Sequence, residues 1–139
     1  MTSEYEITTD TDRIDPAIVH RWLAEESYWA RGRSAELVAR SMANSICFGA
    51  FDGAELVGFA RVVTDRATFA WLCDVFVDEA HRGRGVGGAL VAAAVDHPEL
   101  AALKRFVLAT ADAHEVYRRH GFEVLDHPER WMMRRGTGA

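Results

Sequence analysis

The sequence is short of cysteine, nearly empty of lysine and free of long apolar runs. Its two cysteines, Cys47 and Cys73, stand far apart with no CxxC spacing, which argues against a disulfide framework or a zinc knuckle. No stretch approaches the ~18–20 apolar residues that span a bilayer. The start, Met1-Thr2-Ser3-Glu4, lacks the basic and apolar regions of a signal peptide. These absences predict a cytoplasmic protein with no membrane partner. Internal repeats and low-complexity tracts are also missing, and only the tail over residues 135–139 reads as disordered. Lys104 is the single lysine among 16 basic residues, an arginine bias that a skewed codon composition explains. With 21 acidic residues the net charge is −5, which argues against a surface built to grip the phosphate backbone of a nucleic acid.

What remains is an ordinary globular composition, 49% hydrophobic and 27% charged over 139 residues, and it predicts one domain over residues 1–139. Tyr5 to Thr8 can pair as an edge strand. Asp15-Pro16 reads as a helix N-cap with proline in the first turn, and Ile18, Val19, Trp22 and Leu23 give that helix an apolar face ending before Gly32. Ser34 can cap a second helix carrying Leu37, Val38 and Met42. Ile46–Phe51 and Leu56–Val63 form a hairpin about Asp52-Gly53. A turn at Asp65-Arg66 leads to a strand over Thr68–Val77, whose few polar residues predict burial on both faces. A helix from Val86 closes at His97-Pro98, and Arg105–Thr110 is a short strand. Asp112 and Glu115 form a capping box for a helix ending at Gly121. Phe122–Leu125 and Arg130–Arg134 are expected as two final strands. The order β-α-α-β-β-β-α-β-α-β-β is that of an α+β, or mixed α/β, sandwich around one central sheet.

The most informative stretch is His81-Arg82-Gly83-Arg84-Gly85-Val86-Gly87-Gly88. A strand ends at Val77, a glycine-rich turn follows, and a helix starts directly after it. Glycines let backbone N–H groups approach an anion closely, and the helix N-terminus adds partial positive charge. Arg82 and Arg84 add full charges, so the turn suits a diphosphate. Gly83, Gly85 and Gly88 also match the dinucleotide pattern G-x-G-x-x-G, with Asp112 placed like its ribose-binding acid. Too few residues follow Asp112 to complete a doubly wound nucleotide domain. A Walker A reading fails because no Gly-Lys-Ser or Gly-Lys-Thr follows.

The turn also fits R/Q-x-x-G-x-G/A, the acyl-coenzyme A motif of the GNAT acetyltransferases, as Arg82-Gly83-Arg84-Gly85-Val86-Gly87. Asp74-Val75-Phe76-Val77 resembles the strand before that motif. Ala109 to Phe122, with Tyr117 and Gly121-Phe122, is similar to the superfamily's second conserved block. The resemblance covers nearly the whole chain. It implies a mixed, mostly antiparallel splayed sheet flanked by about four helices, and direct transfer of acetyl from acetyl-CoA to an amine. By that likeness, main-chain groups along Val75, Phe76 and Val77 meet the pantetheine arm. The amides from Gly83 through Val86 and Gly87 to Gly88, with Arg82 and Arg84, hold the pyrophosphate.

Such a transfer needs a neutral amine, an acid for the leaving thiolate and no metal. Tyr117 matches the superfamily's tyrosine and is the candidate general acid. Asp74 is the candidate catalytic carboxylate, acting on the amine through water, orienting the acceptor or satisfying buried backbone groups. Its surroundings, Trp71 to Val77, resemble a segment of polyamine acetyltransferases in which a glutamate precedes the aspartate; here Cys73 takes that place. Cys73 lacks the pattern of a catalytic nucleophile and reads as a small buried hydrophobe. The acceptor pocket of this fold falls between the first two helices, where Glu26, Tyr28 and Trp29 suit a cationic amine and Arg31 and Arg33 equally suit a carboxylate. The six histidines form no metal pattern. A small-molecule amine is the expected partner, with a protein N-terminus or lysine as another acceptor. A non-catalytic acyl-CoA sensor of the same fold is the competing function, and a homodimer is the expectation by analogy with relatives.

Overall fold

A computed structural model describes residues 5–138. Its sheet has five strands: β1 (Glu6–Thr8), β2 (Ile46–Asp52), β3 (Glu55–Thr64), β4 (Phe69–Val77) and β5 (Arg105–Leu108). They lie in the order β1-β2-β3-β4-β5, antiparallel except for the parallel β4–β5 pair. The helices are α1 (Pro16–Arg21), α2 (Ala35–Ala43), α3 (Val86–Asp96) and α4 (His114–Arg118). The last turn of α1 widens into a π-helical turn over Trp22–Glu26, in which Ser27 N–H reaches back to the Trp22 carbonyl. This is the mixed, mostly antiparallel α/β sandwich expected.

Each face of the sheet buries its own apolar cluster. On one face α3 presses Val86, Leu90, Val91 and Ala94 against Phe48, Val57, Val62 and Leu72. On the other, α1, the π-helical turn that extends it and α2 bring Val19, Trp22, Val38 and Met42 onto Phe51, Phe59 and Phe76. Local chemistry sets the helix starts. The Asp15 carboxylate accepts from Ala17 N–H ahead of Pro16, and Ser34 Oγ accepts from Leu37 N–H. The β2–β3 turn uses Gly53 at φ 61°. In the β3–β4 turn Asp65 Oδ1 accepts from three backbone N–H groups, those of Ala67, Thr68 and Phe69.

Three expectations are corrected. The first concerns β4, which packs against both clusters but is not buried throughout: Trp71 is 42% exposed where it borders an open cavity. The second is the capping box at Asp112. Ala113 is the N-cap of α4, without a side-chain cap, and its own N–H is taken by Thr110 Oγ1. The third is the final pair of strands. Among the described residues the sheet ends at β5, and residues 122–134 carry only a 3-10 turn over Pro128–Arg130. Strand propensity needs a pairing partner to act on. Here Phe122 is pinned edge-on to Phe106 and Tyr117, Pro128 lacks a donor, and Met132 is left 97% exposed.

Candidate active site

The parallel β4–β5 ladder runs from Phe69/Arg105 to Leu72/Leu108 and stops there. From Cys73 onward β4 keeps its bonds to β3, while its other edge has lost its neighbour. A cavity of about 390 Å³ spans this divergence, with Trp71–Val75 on one bank and Leu108–Thr110, Asp112, Ala113 and Tyr117 on the other. The segment between α1 and α2 closes it through Tyr28, Trp29 and Arg33.

A β-bulge places the charge in this cavity. Between the pairs Arg61↔Cys73 and Phe59↔Phe76, Ala60 stands opposite two residues, Asp74 and Val75. The extra residue resets the alternation, so Leu72 and Val75 both pack toward α3. Asp74, at φ 52°, turns toward α1 and α2. Its carboxylate is 2% exposed and fully engaged. Trp29 Nε1 donates to Oδ1, and Arg33 and Arg61 both donate to Oδ2, each at 2.9 Å. Arg61 also donates to Ser45 Oγ at 3.1 Å. Burial opposes ionisation of Asp74, but the charges of Arg61 and Arg33 and the bonds from Arg61 and Trp29 together hold its carboxyl below the usual range. It is therefore a fixed anion.

The loop that carries Trp29 and Arg33 is itself tied down. Ser27, buried, donates to the Leu23 carbonyl and accepts from Ala30 N–H. His20 Nε2 bonds the Arg33 carbonyl at 3.0 Å. Tyr28 stands edge-on to Trp29 with centroids 5.1 Å apart. Glu26 is exposed at the end of the π-helical turn and does not line the cavity.

At the far end of β4, Val75 and Val77 pack on the α3 face, and Phe76 stacks on Trp22 at 5.4 Å. Arg82 folds back, its Nε donating to the Val77 carbonyl at 3.0 Å with the guanidinium over the Phe76 ring. Gly83 and Gly85 adopt φ 77° and 85°, and a Cβ at either would meet open space. The turn is thus exposed, with a backbone conformation that favours glycine. Gly85 is the N-cap of α3 without a side-chain cap, so the first-turn N–H groups of the helix have no intrahelical partner; Gly87 and Gly88 are half-buried there and Val86 is buried. Arg84 is exposed beside them.

Tyr117, from α4, reaches the cavity from the β5 bank. Burial, then the neighbouring Tyr28 and Asp112, raise its hydroxyl above the ordinary tyrosine range, so it stays protonated. Burial also pushes the Cys73 thiol up to about 11, despite the pull of Arg61. That thiol is neutral at physiological pH and a poor nucleophile. Arg61 and Trp71 were not among the residues the sequence nominated. The available signal was a lone charge inside each of two apolar strands, Arg61 in β3 and Asp74 in β4, since buried charges are paired.

The model of the acetyltransferase (GNAT) family matches residues 16–122. A GNAT-family protein of Xanthomonas campestris pv. campestris superposes with a TM-score of 0.92 at 44% identity, over 95% of this chain and 93% of that one. A Clostridium acetobutylicum protein, whose crystal structure is with acetyl-CoA, gives a TM-score of 0.69 at 15% identity over 94% of each chain. At that identity the likeness is one of fold. A Gibberella zeae protein named as a putative acetyltransferase is 26% identical over 103 residues, 60% of this chain and 58% of that protein. The chain therefore spans little more than half of that curated relative. With most of its length matched, the chain belongs to the GNAT family of acetyltransferases.

Proposed function

We propose that the chain transfers the acetyl group of acetyl-CoA directly to a primary amine of a small molecule. One observation carries the reading: β4 lines the cavity bordered by Tyr117, has no β5 partner beyond Leu72, and runs on to Val77, just before the glycine turn. The turn fits a diphosphate, because its exposed glycines, the uncapped N-terminus of α3 and Arg84 supply donors and positive charge together. Main-chain groups of Val75, Phe76 and Val77 border the free edge, where an extended arm bearing amides can pair. Acetyl-CoA, when bound, supplies an activated thioester.

Within the cavity, Tyr117 holds a proton for the departing sulfur. Asp74 has both oxygens occupied and acts by fixing Arg33 and Arg61. The ammonium gives up one proton to solvent in the open cavity before attack. An N–C bond then forms to the acetyl carbon, the nitrogen so bonded releases a second proton to solvent, and the C–S bond breaks. Sulfur takes the Tyr117 proton, which solvent replaces.

Tyr117→Phe tests this directly. Loss of a positioned general acid lowers kcat by about 100-fold or more. Affinity for acetyl-CoA, measured by calorimetry, should stay within about twofold. Equal loss of both removes Tyr117 from the chemistry. Binding of acetyl-CoA with no free thiol released across a broad amine panel would leave a sensor module instead.

A further inference from the structure

The acceptor side of the cavity has an unusual charge arrangement. Arg33 and Arg61 are 20% and 11% exposed, and both spend a donor on the same oxygen of Asp74. Two guanidiniums against one carboxylate leave a surplus positive charge in a half-buried corner. A guanidinium has five N–H donors, and Arg33 commits only one of them to a described side chain. Among the described residues, Asp112, on the opposite bank with Tyr117, is the only other charged residue lining the cavity. Positive and negative ends therefore face each other across the divergence of β4 and β5. Between them the walls are aromatic, formed by Tyr28, Trp29 and Trp71.

We infer that the acceptor is an amine that also carries an anionic oxygen group, a carboxylate or a phosphate, and that Arg33 with Arg61 recognises that group. This rests on the acetyltransferase reading and names its substrate class. Guanidiniums match both oxyanions through paired donors, and water exclusion in this corner strengthens the contact. The ammonium end faces Asp112 and Tyr117, which puts the nitrogen at the strand divergence where transfer occurs. The flat walls take the body between the two ends, and about 390 Å³ limits that body to a small molecule. Polyamines are disfavoured, because their second cation would meet the arginine pair. The bonds made and broken are those of acetyl transfer, and the anionic group passes through unchanged.

The test compares matched pairs on the full chain with acetyl-CoA, reading free thiol: standard amino acids against their carboxamides, phosphoethanolamine against ethanolamine, and spermidine alone. The expected result is kcat/KM at least about 30-fold higher for one acid-bearing series than for its neutral partners, the size of one charge-assisted hydrogen bond. Which series responds tells carboxylate from phosphate. Arg33→Gln should raise KM for the acid by a similar factor and raise that for the neutral amine by much less, with partial recovery in Arg33→Lys. Preference for spermidine or neutral amines overturns the inference and leaves the acetyltransferase reading standing. Equal loss on acid and neutral substrates in Arg33→Gln also overturns it. If no amine releases thiol, the transferase reading fails by itself; the inference is then judged by tryptophan fluorescence titration, where equal affinity for acid and amide overturns it.

Discussion

Asp74 combines a left-handed backbone at φ 52° with a buried carboxylate shared by two arginines. Asn tolerates that backbone region well, so Asp74→Asn changes the charge and little else. Removing one partner of a buried ion pair costs about 3–5 kcal/mol, because the other charge is left uncompensated. We expect a loss near 3 kcal/mol at pH 7, a fall in Tm of roughly 10 °C for a chain of this size. The pH dependence follows from the lowered carboxyl. Its stabilisation is complete above the unfolded value near ~3.9 and is lost as pH falls through the lower folded value. Wild type and variant should therefore converge below about pH 4 in thermal melts. A gap that persists unchanged into acid would mean that packing, not charge, is what Asp74 supplies.

Among the elements, β3 and α3 meet where glycine leaves almost no space. A Cβ on Gly58 would stand 2.9 Å from Val86 Cγ1 and 3.1 Å from Leu90 Cδ1. Val86 is the first residue of α3, so that contact also sets the height of the glycine turn. Gly58→Ala should cost about 1–3 kcal/mol by overpacking and weaken acetyl-CoA binding through the displaced helix end. Denaturant midpoints and calorimetry read the two effects separately; lost stability with unchanged affinity would uncouple the turn from this contact. Elements governed by neighbouring residues were legible in the sequence. Asp15-Pro16, Ser34 and Asp52-Gly53 behave as their local chemistry demands. Features that depend on distant partners were not. The Arg61–Asp74 pair exists only because the bulge brings Asp74 round to that face, and the bulge is a property of two strands in register. The α4 cap passed from Asp112 to Ala113 because Thr110 competes for the same region. Phe122–Leu125 and Arg130–Arg134 have strand-like composition, yet composition does not name a partner for them.

The molecule as a whole is acidic, at −5, while the surfaces facing the proposed ligands carry Arg84 beside the turn and Arg33 and Arg61 in the cavity. An anionic coenzyme thus meets an unfavourable net field and a favourable local one. The balance between them varies with salt, since screening acts within ~10 Å at 0.1 M and ~3 Å at 1 M. Ligand that binds only the folded state stabilises it by mass action, ~2.7 kcal/mol when present at about 100 times its Kd. For this chain length that is a rise in Tm of roughly 8 °C with acetyl-CoA. Arg84→Ala should shrink the rise without changing the melt of the free protein, because Arg84 is exposed and holds no described partner. Adding salt should reduce the shift in the wild type more steeply than in Arg84→Ala, as one screened contact is already gone. Parallel salt curves for the two proteins would show that the diphosphate is held by backbone N–H groups alone, and Arg84 would lose its part in binding.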